Sequence, residues 1–127
     1  MQYLTAKQIL LIHSMIIHET GGLHGVRDRN AILALEDLPG QRVFEKELYP
    51  TMFLKAAVYA RGIITAHPFF DGNKRTGMTA ASVFLESNGY KVLARKGEVE
   101  KLALEIIEKK FDLEHIADWF KKNSRKI

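Results

Sequence analysis

Between His67 and Arg75 the chain reads HPFFDGNKR, which gathers an imidazole, a carboxylate, an amide and two cations into nine residues. Each type has a physical use. Histidine titrates near neutrality, so His67 can take a proton from an attacking hydroxyl as a general base, a role that typically contributes ~10²–10⁴-fold in rate. A histidine on its own is more often structural. Asp71 offers the hard oxygen ligands suited to Mg²⁺, an ion that keeps several waters and bridges phosphate oxygens; the plainer reading of that position is a helix N-cap. Gly72 stands just ahead of an expected helix start. The first backbone N–H groups of a helix lack intrahelical partners and carry the positive end of its dipole, so a phosphate placed there gains several hydrogen bonds, and Gly72 lets the backbone come close. Asn73, Lys74 and Arg75 follow, and cations in a first turn oppose the dipole by roughly 0.3–1 kcal/mol unless an anion is bound. Their placement argues for an anionic ligand. Phe69 alternates with the polar positions and reads as the apolar anchor of the loop.

Such a loop needs a helix on either side. Thr5 with Gln8 has the form of a capping box, and Ile9, Ile12 and Ile16 recur at helical spacing until Gly21-Gly22. Asp28 heads a short segment with Ile32 and Leu35 on one face, ended by Pro39-Gly40, and a connection with Val43, Phe44, Leu48 and Tyr49 follows. Pro50-Thr51 opens a longer helix, predicted over 52–66, whose stripe of Phe53, Ala57, Ala60 and Ile64 suits close central packing. The next helix is predicted from near Asn73 through Met78, Ala81 and Leu85 to Asn88-Gly89. After a short extended piece at Tyr90 to Leu93, two amphipathic helices carry Val99, Leu102, Ala103, Ile106 and then Leu113, Ile116, Ala117, Phe120, the second capped by Asp112. The expected fold is all-α, a compact bundle of about six helices with the 67–72 loop between two central ones.

At 127 residues, with 46% hydrophobic and 27% charged, the chain is expected to form one globular domain over 1–127. Without cysteine it has no disulfide or thiolate chemistry, and the cytoplasm is the default compartment. Lys7, Gln8, His13 and Ser14 interrupt the apolar N-terminal run, which therefore reads as an amphipathic helix and not a secretion signal. No window approaches the ~18 apolar residues of a membrane span, so a soluble protein is expected. A formal charge of +4 and a pI near 9.4 favour acidic partners, and charge alone does not choose among nucleotides, nucleic acid and acidic proteins. The tail KKNSRK (121–126) reads as a solvated helix end. His13 and His18 point to different faces of a helix and make no metal pair; with His24 and His115 they read as structural or exposed. Trp119 and Phe120 read as packing residues. GGLHG (21–25) can lie near the loop and help dock a target, or can be a plain helix stop.

The loop resembles the Fic/Doc signature of His, any residue, Phe, any residue, Asp or Glu, Gly or Ala, Asn, a variable position and Arg, with His67, Phe69, Asp71, Gly72, Asn73 and Arg75 at the specified positions. Lys74, Thr76 and Gly77 fit the Doc (death on curing) branch, and the N-terminal order of helix, GGLHG, Asp-capped short helix and long helix is similar as well. This resemblance implies His67 as the base, Asp71 as the Mg²⁺ ligand, and Gly72, Asn73, Lys74 and Arg75 as the phosphate cradle for ATP. The adenylyl-transferring Fic branch usually has Gly where Lys74 stands and a second Arg where Met78 stands. Doc-like members are thought to present the γ-phosphate, which implies phosphorylation of a protein hydroxyl, with translation elongation factor Tu as target and an antitoxin as partner. An adenylyl (AMP) transferase and a non-catalytic nucleic-acid or antitoxin-binding protein are the alternatives, although direct DNA binding is not expected. The spacing Ser82 to Glu86 is similar to an inhibitory-helix motif of some Fic proteins, but Ser87 departs from it.

Overall fold

Local signals start the helices where the side chains allow it. In the computed structural model, which describes residues 1–95 and 97–127, the order is α1 (Ala6–Thr20), α2 (Arg29–Asp37), a 3₁₀ turn (Leu38–Gly40), β1 (Arg42–Val43), β2 (Lys46–Glu47), α3 (Met52–Ala66), α4 (Asn73–Ser87), β3 (Tyr90–Val92), α5 (Glu98–Glu108), α6 (Leu113–Lys122) and β4 (Ser124–Lys126). Thr5 and Gln8 close the capping box of α1, and Asp28, Thr51 and Asp112 each accept a backbone N–H at the start of α2, α3 and α6. The architecture is all-α, with two short two-stranded pairs as its only sheets among the described residues.

The centre of the bundle is α3. Every residue from Lys55 to Ala60 is buried, as are Ile63 and Ile64, because α2, α4 and α6 cover this helix on different sides. Small side chains make the approach possible. A Cβ at Gly77 on α4 would stand 2.8 Å from Ile64 Cγ1 and 3.0 Å from the Ala60 carbonyl oxygen, so glycine lets α4 lie against α3. The tight α3–α4 pair holds both ends of the loop 67–72. Among the described residues no helix is long and apolar enough to cross a membrane.

Two expectations change. The tail KKNSRK is a helix end only in its first half: α6 stops at Lys122 with Asn123 as its cap, and Ser124 to Lys126 pair antiparallel with Val92 to Tyr90. The partner strand lies some thirty residues away in sequence, beyond the reach of local periodicity. The connection after Pro39 likewise contains a small hairpin, β1 against β2.

That hairpin is tied to the core by a buried cation. Lys55 is 0% exposed, and its Nζ donates to the Pro39 carbonyl at 3.0 Å and to Glu47 Oε1 at 2.9 Å. The hydrogen bond from Lys55, then its charge, holds the Glu47 carboxyl below its ordinary value of 4.5. A depressed folded-state pKa stabilises the fold above the unfolded value and loses that stabilisation as pH falls through the folded one. Glu47→Gln should therefore unfold at lower urea than the wild type at pH 7, with the gap closing as pH drops below 4.5. A gap that persists unchanged at pH 3 would contradict the ion pair.

Candidate active site

His67 sits at the C-terminal end of α3 in a left-handed conformation, φ 49° and ψ 56°, which turns the chain sharply out of the helix. The last carbonyls of a helix lack intrahelical donors and attract cations. Arg27 meets that need: its Nε donates to the His67 carbonyl at 2.8 Å and its Nη2 to the Ala66 carbonyl at 2.7 Å. The Arg27 and Asp28 backbone N–H groups both donate to the Pro68 carbonyl, at 2.7 and 3.0 Å, and Val26 forms an antiparallel bridge with Phe69. The segment from Val26 to Asp28 thus braces the loop from outside. Phe69 is 1% exposed and anchors it from inside.

Asn73 lies at the start of α4 and is 7% exposed. Its Oδ1 accepts from the Phe69 N–H at 3.0 Å and its Nδ2 donates to the Phe69 carbonyl at 2.9 Å, which fixes the direction of the amide. The second Nδ2 hydrogen then faces His67 Nδ1 at 3.2 Å. Nδ1 is the acceptor, so the neutral ring carries its proton on Nε2. A hydroxyl proton reaches the ring only where the hydroxyl displaces this long bond or the imidazole turns over. The Asn73 side chain is directed at the loop and at His67 and takes no part in capping its own helix.

Gly72, at φ 78° and ψ 18°, makes the entry into α4. The first intrahelical bond runs from the Thr76 N–H to the Gly72 carbonyl at 2.9 Å, so the N–H groups of Asn73, Lys74 and Arg75 precede the ladder and point toward the cleft end. Lys74 and Arg75 are exposed and make no ion pair among the described residues. Asp71 Oδ1 accepts from the Gly72 N–H at 3.0 Å and its Oδ2 from the Leu23 N–H at 3.2 Å. Each carboxylate oxygen keeps a free lone pair, and no group of three or more potential ligands occurs among the described residues. The donor set therefore fits an ion such as Mg²⁺ that takes one carboxylate here and its remaining ligands from phosphate and water.

A cleft of about 620 Å³ unites these groups: His67, Asp71, Gly72, Asn73, Lys74 and Arg75 all line it. The rest of its lining is mixed, with Ile16, Met78, Val99 and Ala103 beside the polar Ser82 and Glu100. Sequence reasoning overlooked three contributors. The Leu23 N–H belongs to the GGLHG segment and Arg27 follows it by two residues; glycine is favoured at 22 because its φ is 120°, and a Cβ there would also fall 2.6 Å from Asp71 Oδ2. The third is His13, whose Nε2 donates to the Asp71 carbonyl at 2.8 Å. A histidine at helical spacing from Ile9 and Ile16 was the available signal.

The Fic/DOC family model matches residues 3–85, which include the whole loop, all of α3 and all but the last two residues of α4. The chain is 32% identical over 118 residues to "Toxin Doc" of Mycolicibacterium smegmatis, covering 91% of this chain and 88% of that protein. It is 30% identical over 92 residues to "Protein kinase doc" of Escherichia phage P1, covering 72% of each. With the loop, the helix that starts at Asn73 and the match over most of its length in agreement, the chain belongs to the Fic/DOC family.

Proposed function

We propose that the chain is a Doc-type toxin enzyme that transfers the γ-phosphate of ATP to a hydroxyl of a protein. The observation that carries this reading is one cleft holding both a free helix N-terminus, flanked by Lys74 and Arg75, and the His67 ring. The names of the relatives, a toxin and a protein kinase, point the same way. The acceptor oxygen attacks the γ-phosphorus, the bond from that phosphorus to the bridging oxygen breaks, and ADP leaves. His67 takes the hydroxyl proton. Asn73, Lys74 and Arg75 hold the phosphates by backbone N–H and side-chain charge, and Gly72, whose own N–H is taken by Asp71 Oδ1, lets them come close. Asp71 would hold Mg²⁺, which when bound neutralises phosphate charge.

Lys74 and Met78 favour the γ-phosphate. Met78 is 3% exposed in the cleft wall, so the second cation of the adenylyl-transferring branch has no counterpart at that place. We assign translation elongation factor Tu as the target, an antitoxin as the inhibitory partner and the cytoplasm as the site of action. Cell extract given γ-labelled ATP and this protein should yield a labelled band near the size of that factor, while α-labelled ATP should yield none. The two labels report which bond breaks. Transfer of the α label alone would make the protein an adenylyl transferase, and transfer of neither would favour a binding role.

A further inference from the structure

We propose that His13 on α1 is a positioning residue of this site: its bond to the Asp71 carbonyl sets the direction of the Asp71–Gly72 peptide and so the polarity of the phosphate cradle. The inference rests on the reading that the cradle receives nucleotide phosphate. A carbonyl oxygen only accepts, so His13 Nε2 carries the hydrogen of the 2.8 Å bond. The ring has no room to leave, being 4% exposed and stacked on Phe69 with centroids 3.7 Å apart and planes 5° from parallel. In a trans peptide the C=O and N–H point in opposite directions. With the Asp71 carbonyl drawn toward His13, the Gly72 N–H is turned away from it, to the side where Asp71 Oδ1 accepts it at 3.0 Å.

Nothing else that bonds to this peptide holds its carbonyl among the described residues. A peptide followed by glycine can reverse, because glycine accepts backbone angles of either sign; the same reversal separates type I from type II turns. Gly72 at φ 78° is such a residue. After reversal the Gly72 N–H would leave Asp71 Oδ1 and the carbonyl oxygen would face that carboxylate at the edge of the cleft, two negative oxygens that repel each other and an incoming phosphate. The competing explanation is that His13 only packs against Phe69.

Two substitutions separate these roles. His13→Phe keeps an aromatic ring for Phe69 and loses the donor; His13→Gln loses the ring and places an amide N–H where Nε2 stood. The measurements are ATP affinity in the presence of Mg²⁺ by calorimetry, the thermal midpoint, and the Gly72 amide shift in a ¹H–¹⁵N spectrum. His13→Phe should bind ATP about 10- to 100-fold more weakly, the worth of one hydrogen bond to a charged oxygen, with a displaced Gly72 amide and a midpoint near that of the wild type. His13→Gln should restore most of the affinity and the amide shift despite a lower midpoint. His13→Met supplies a second side chain without the donor, should the Phe variant not fold. Affinity that follows stability, tight in His13→Phe and weak in His13→Gln, or a Gly72 amide unmoved in the donor-less variants, would overturn the assignment. A wild type that binds no ATP would instead count against the proposed function, and the amide shifts would still decide the role of His13.

Discussion

His67→Ala is expected to lower phosphate transfer by about 10²–10⁴-fold, the usual worth of a general base, while leaving ATP affinity close to that of the wild type. The imidazole makes one side-chain hydrogen bond, the 3.2 Å bond from Asn73, and that amide stays pinned by the Phe69 backbone when the ring is removed. The contacts that shape the loop at this position use the His67 carbonyl, which alanine retains for Arg27. Alanine is less favoured than histidine in the left-handed conformation, so a small loss of stability is expected beside the loss of transfer. The cradle is therefore left in place while the proton acceptor is lost. Asp71→Asn should do the reverse and weaken Mg²⁺-dependent ATP binding, since it removes the charge of the carboxylate and replaces with an amide nitrogen one of its two oxygens, which the Gly72 and Leu23 N–H groups hold at Oδ1 and Oδ2. Calorimetry and single-turnover transfer on both variants test the division. Equal loss of binding in the two would show that the roles are wrongly assigned.

Phe69→Ala carries the second large effect, a loss of about 3–5 kcal/mol in unfolding free energy. Phe69 fills a space closed on one side by the His13 ring and belongs to the same apolar core as α3 and α4. Truncation leaves a cavity that the surroundings have little means to close, because the Phe69 backbone is bound on both faces, to Asn73 and to the bridge with Val26. The two effects of the substitution are separable. Stability should fall in urea titration, and the residual folded fraction should bind ATP weakly, since His13 loses the surface that keeps its Nε2 aimed at the Asp71 carbonyl. A loss below about 1 kcal/mol would show that the loop is anchored elsewhere.

Much of the scaffold was readable because its signals act within one turn. Thr5 with Gln8, Asp28, Thr51 and Asp112 meet N–H groups three residues on, so their helices start where the residue types place them. The spacing from His67 to Arg75 likewise determines that an imidazole at one helix end and two cations at the start of the next share a loop, because the intervening chain is too short to separate them. For three arrangements no local signal names the partner. β4 pairs with β3 across the full length of α5 and α6, Arg27 reaches carbonyls about forty residues ahead, and His13 reaches Asp71 across 58. In each case the residue's own neighbours predict only an exposed or ordinary position, and the partner is supplied by helix packing. Residue order thus determined which groups meet at the loop. The packing of α1 against α4 decided which way the peptide before Gly72 points, since a backbone carbonyl takes its direction from whatever donor the fold brings to it.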